Sequence, residues 1–171
     1  MNVGLIDVDM KNTGKKVFPT LTLMKLSTYH KARGDCVTLL SVDQYLNGDI
    51  FSEYDKVYAS CIFPKNKGIA EKLACMGVEV GGSGYDISTK LRDDIEHIMP
   101  DYSLYNIPDT AYVFLTRGCP RHCPFCIVAD KEGAHSYKVA DLSEWWSGQK
   151  FIKLLDPNIL ACPESKELLQ Q

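Results

Sequence analysis

Apolar residues along the chain gather in short runs, and the spacing within each run sets the element it predicts. Val3-Gly-Leu-Ile6 is a brief apolar run and reads as a strand. Leu23, Met24, Leu26 and Tyr29 recur at helical spacing within 21–32, after Pro19-Thr20 and before Gly34, which predicts a helix there. Val37–Leu40 and Lys56–Ile62 return to strand character. Residues 66–76 read as a helix capped by Asn66 and stopped by Gly77. Val78-Glu-Val80 then enters Gly81-Gly82-Ser-Gly84, and helical structure is expected again near 87–98. Strand–helix alternation at this spacing predicts an α/β fold, with a Rossmann-like parallel sheet domain over 1–100.

Residues 101–110, with Pro100 just before them and Pro108 among them and little periodicity, read as a linker. Beyond it, 111–171 predicts a strand at 111–115, a short helix at 141–147 ended by Gly148, a strand at 151–155 and a helix at 164–169. Composition changes this picture little: 45% hydrophobic and 24% charged residues are ordinary globular values. A net charge of −3 gives no overall electrostatic reason to expect nucleic acid or an anionic membrane. The opening residues lack the basic start of an export signal, and no apolar run reaches the ~18 residues of a membrane span. A cytoplasmic protein is expected. Seven cysteines in such a compartment point to metal binding or catalysis before disulfides. Cys36, Cys61 and Cys75 lie alone in apolar segments and read as small buried hydrophobes. His30 and His97 read as packing or surface residues, and Trp145-Trp146 as cover for a core.

The remaining chemistry concentrates in Thr116-Arg-Gly-Cys-Pro-Arg-His-Cys-Pro-Phe-Cys126. Cys119, Cys123 and Cys126 place three thiolates on one loop and supply no fourth. A four-iron cluster held by three protein ligands keeps one iron open to a substrate or cofactor. Two closed alternatives stand beside it. One is structural zinc, completed by Cys162, His122 or His135; the other is an electron-transfer cluster with Cys162 as fourth ligand. Pro120 and Pro124 stiffen the loop by fixing φ. Arg117, Arg121 and Lys131 are either solvated charge or cations that tune a cluster or meet an anionic cofactor.

The spacing Cys119-x-x-x-Cys123-x-Phe125-Cys126 after a strand resembles the signature of radical S-adenosylmethionine enzymes. That resemblance implies a partial (β/α) barrel over 111–171 and a [4Fe-4S] cluster on Cys119, Cys123 and Cys126. It implies S-adenosyl-L-methionine chelated by the open iron and cleaved reductively to begin radical chemistry on a substrate no residue identifies. Methylthiolation and methylation are typical of relatives with this domain order. Phe125 would lie against the adenine, its alternative being a core aromatic that anchors the loop. Asp156 and Asn158, at the end of the second strand, would accept from the methionine ammonium, although the family's glycines are missing and Asp-Pro-Asn is also ordinary turn chemistry. The layout of 1–100 is similar to cobalamin-binding domains. Asp9-x-Lys11-x-x-Gly14, however, carries lysine where those place the cobalt-ligating histidine, and a protonated lysine is no ligand. Gly81-Gly82-Ser-Gly84 is either a cofactor-approach loop or a plain glycine-rich turn. A flavodoxin- or ferredoxin-type reductant is the implied partner. At ~30 residues per strand–helix unit, 111–171 holds barely two units of a barrel. A fragment, a split protein completed by a second chain, or a remnant would each account for that, with strand edges left unpaired.

Overall fold

A computed structural model describes residues 1–10, 18–47 and 53–171. The chain divides into two compact units, Met1–Asn106 and Ile107–Gln171. The first is built on four parallel strands, β1 (Asn2–Asp7), β2 (Cys36–Leu40), β3 (Lys56–Ser60) and β4 (Glu79–Gly81), in the order β2-β1-β3-β4. β1 is central, paired from Asn2↔Cys36 to Ile6↔Leu40 on one side and from Val3↔Lys56 to Asp7↔Ser60 on the other.

Successive side chains of a strand point to opposite faces, and β1 uses both. Val3 and Leu5 pack with Leu23 and Leu26 of α1 (Leu21–Ala32) and Ile95 of α4 (Asp93–Glu96). Ile6 packs instead with Tyr45 of α2 (Val42–Asn47) and Ala70 and Leu73 of α3 (Lys67–Cys75). Helices therefore cover both faces, as a parallel sheet requires. The strand order reverses between β1 and β3, so the carboxyl ends of those strands flank the crevice where α/β sheets of this kind take ligands.

The sequence expectation of a linker at 101–110 meets a different arrangement. Asp101 accepts from Ser27 Oγ and Lys31 Nζ of α1, both at 2.6 Å, and from the Ser103 amide at 3.0 Å. The 3₁₀ turn Tyr102–Tyr105 thereby belongs to the first unit, and the division falls after Asn106. The helix expected over 87–98 contracts to α4, because Ile95 alone is buried within it and Ile87 is exposed. Cys61 is buried as expected, but Cys36 and Cys75 are exposed, since each falls at an element terminus on the outward side.

In the second unit β5 (Thr110–Val113) pairs in parallel with β8 (Phe151–Leu154), from Thr110↔Phe151 to Val113↔Leu154. Two-residue strands β6 (Thr116–Arg117) and β7 (Tyr137–Lys138) pair antiparallel. Between them lies α5 (Val128–Glu132), and α6 (Ser165–Leu168) follows β8. The helix expected at 141–147 is a single 3₁₀ turn, Leu142–Glu144. There Asp141 and Glu144 cap each other reciprocally and close the turn at once. Trp145 is buried and T-shaped against Phe114, while Trp146 is half open. No helix among the described residues is long and apolar enough to cross a membrane.

Candidate metal centre

The cysteine loop leaves the carboxyl end of β5 and is pinched at its root. β6 and β7 join its ends, the Cys119 amide donates to the Gly133 carbonyl at 3.2 Å, and the Gly118 amide donates to Glu132 Oε2 at 3.3 Å. Glu132 Oε1 meets Arg117 at 2.9 Å, and the Arg117 guanidinium also covers the Phe114 ring at 3.8 Å. The approach is close enough to require glycine. Gly118 has φ +76°, and a Cβ there would stand 2.0 Å from the His135 carbonyl oxygen.

Behind this root lies the turn after β8. Asp156 Oδ1 accepts from the Leu115 amide at 3.0 Å, the Thr116 amide at 2.5 Å and the Thr116 hydroxyl at 2.6 Å. The carboxylate thus holds the start of the loop onto the end of β8. Its Oδ2 is buried and has no partner among the described residues. Asn158 is turned to the same purpose: its carbonyl accepts from Ser136 Oγ at 3.0 Å, and its side-chain amide points at Cys119 Sγ, 3.7 Å away.

Cys119 and Cys123 are half-buried and Cys126 is exposed, and none is in a disulfide. The Cys126 amide donates to the Cys123 carbonyl at 3.0 Å, which turns the chain between them. Phe125 is 89% exposed, so it does not anchor the loop in a core. Pro120, Pro124, Arg121 and His122 are also exposed, and His122 holds φ +46°, a left-handed conformation at the middle of the loop. His135 meets the loop through its carbonyl oxygen. Cys162 is buried and donates to Glu164 Oε2 at 3.1 Å; burial and that carboxylate both push its thiol up.

Among the described residues no three or more His, Cys, Asp or Glu side chains are gathered as a group able to hold a metal. The three loop thiols fit an iron–sulfur cluster by donor chemistry, being unpaired soft ligands on one short loop at a strand's carboxyl end. Taking up a cluster would require the loop to draw them together. Cys162, protonated and bonded to Glu164, is a poor fourth ligand, because a metal needs the thiolate.

The first unit has its own polar centre where β1 and β3 end. Asp7 is 1% exposed and accepts from Thr20 Oγ1 at 3.0 Å, Tyr105 Oη at 2.6 Å and the Asp9 amide at 3.1 Å. Asp9 accepts from the Ile62 amide at 2.5 Å and Asn66 Nδ2 at 2.7 Å, so both its oxygens brace the segment after β3. Lys11 and Gly14, the rest of that sequence motif, lie outside the described residues. Gly82 and Gly84 serve chain packing. A Cβ at Gly82 would stand 2.3 Å from the Cys61 carbonyl oxygen, and one at Gly84 would stand 2.6 Å from the Phe63 backbone.

Sequence reasoning missed Glu132 and the root of the loop, since the residues that join there are about 14 to 22 positions apart and β6 and β7 are too short to show a period. It could have weighed Gly118 beside Cys119 as a sign of close backbone approach. No protein-family model, curated protein or solved structure matches this chain.

Proposed function

We propose that the chain is a radical S-adenosylmethionine iron–sulfur protein, a Rossmann-like domain followed by the first part of a (β/α) barrel. The observation that carries this reading is the loop itself. Three unpaired thiols in Cys-x-x-x-Cys-x-Phe-Cys spacing follow a parallel strand, on a segment pinned at its root and exposed at its tip. Cys119, Cys123 and Cys126 bind a [4Fe-4S] cluster, which when bound supplies the electron that cleaves the sulfonium of S-adenosyl-L-methionine. Phe125, free of the core, offers its ring to the adenine. Asp156 Oδ1 keeps the loop root on β8, and Oδ2 is the acceptor left for the cofactor's ammonium. Gly118 and Glu132 hold the loop's two ends together. No cobalt ligand is proposed in the first unit.

A flavodoxin- or ferredoxin-type protein would deliver the electron. The exposed apolar edge strand β8 supports a second strand-bearing chain that completes the sheet. The closed-cluster alternative, and zinc completed by Cys162, draw on a thiol whose bond to Glu164 speaks against them; zinc completed by His122 or His135 is separated by the metal count below.

Metal counting on the full chain after anaerobic reconstitution with iron and sulfide separates these readings. About four irons per chain are expected in the wild type and in Cys162→Ala, and a large loss in Cys119→Ala, Cys123→Ala or Cys126→Ala. Iron lost in Cys162→Ala, or zinc held where no cluster forms, would overturn the proposal.

A further inference from the structure

We propose that Asn158 is a positioning residue that sets the electron affinity of the cluster through a hydrogen bond to one ligand sulfur, that of Cys119; this rests on the cluster reading above. The donor is Nδ2, 3.7 Å from Cys119 Sγ, an ordinary reach for the large sulfur atom. Both partners are held by contacts other than their own. On one side, the Asn158 carbonyl is fixed by the buried Ser136, and the turn that carries it is fixed by Asp156 on the Leu115 and Thr116 amides. On the other, the Cys119 amide is fixed on the Gly133 carbonyl, next to Gly118, whose missing side chain permits the approach. The backbones of both residues are therefore held at the loop root, and the Asn158 side chain makes the contact between them. Among the described residues the Cys123 and Cys126 sulfurs have no such donor, so the three ligands are electrically unequal.

The physical effect has a definite sign. A ligand thiolate carries negative charge, and one-electron reduction of the cluster adds to it. An N–H dipole with its positive end on that sulfur stabilises the reduced state more than the oxidised one and raises the reduction potential. Asparagine does this without titrating, so the effect is independent of pH.

The test is a redox titration of the reconstituted full chain, followed by electron paramagnetic resonance of the reduced cluster. Dithionite is the reductant, and iron is counted on every sample. Asn158→Leu removes the donor at similar volume. Its reduced-to-oxidised ratio at a fixed poise should fall about tenfold, ~59 mV for a one-electron couple, at unchanged iron content. Asn158→Asp keeps the shape and places negative charge at the sulfur, so its ratio should fall further. Asn158→Gln, which retains an amide donor, should recover part of the wild-type value. Equal potentials in wild type, Leu and Asp variants with intact clusters would overturn the inference and leave the cluster reading standing. Iron loss with no change in the potential of the remaining cluster would show a purely structural role and overturn it too. A wild type that binds no iron would remove both.

Discussion

β1 and β8 are both strands of parallel ladders, yet from Val3 onward every residue of β1 is buried while all four residues of β8 are exposed. β1 has a neighbour on each edge and helices on each face. Among the described residues β8 pairs with β5 alone, and its apolar side chains Phe151, Ile152 and Leu154 are 54%, 42% and 42% exposed. Parallel sheets are normally covered on both sides, so the first unit closes its own core and the second leaves a face and an edge for something else. Near its cysteine loop the second unit adds polar clamps at the loop root to the buried Leu115 and Thr116.

The comparison can be broken most forcefully at Asp156. Asp156→Ala orphans the Leu115 and Thr116 amides and a buried hydroxyl, at about 1–3 kcal/mol for each buried donor left unmade. Amide exchange should then rise throughout 107–171 and stay unchanged in β1; unchanged protection in the second unit would refute the clamp. Leu5→Ala should act the other way round, costing about 2–5 kcal/mol in the first unit, read as a lower urea midpoint for protection of β1 and β3. Gly118→Ala places a side chain in a left-handed conformation worth about 1–2 kcal/mol alone, besides the clash with His135. Limited proteolysis should cut its cysteine loop faster.

The first unit's polar centre gives a pH signature. Burial raises the Asp7 pKa above the ordinary 3.8, with the Tyr105 and Thr20 hydrogen bonds acting in the opposite direction. A carboxyl that holds its proton more tightly when folded stabilises most below the unfolded value, and that contribution is lost as pH rises through the raised folded value. Relative to Asp7→Asn, wild-type urea midpoints for the β1 amides should therefore fall from pH 3.8 upward. The smallest effect on folding is expected at Phe125. Phe125→Ala should change stability by less than about 0.5 kcal/mol, because the ring touches no core, while weakening S-adenosylmethionine binding measured by calorimetry.

How far the chain could be read from its sequence follows the same division. β1–β4, α1 and α3 were legible because apolar residues at strand or helix spacing are the ones their packing buries. α2 was not, since Tyr45 is the one buried residue within it. Residues 101–106 looked like a linker because polar bonds from Asp101, which leave no periodic trace, hold them to α1. In the second unit the thiols and Phe125 were legible as a motif. Asp156 and Asn158 were singled out as cofactor acceptors; what the sequence did not show is that Asp156 Oδ1 also holds the loop root and that the Asn158 amide faces Cys119 Sγ. Their direction depends on pairings across some forty residues, which no local pattern encodes.

The most direct test of the central claim is electron paramagnetic resonance of the reduced, reconstituted chain with and without S-adenosyl-L-methionine. The account predicts a four-iron signal that changes shape when S-adenosyl-L-methionine is added, as an iron without a protein ligand requires. A signal indifferent to it, from protein carrying a full complement of iron, would contradict the open site.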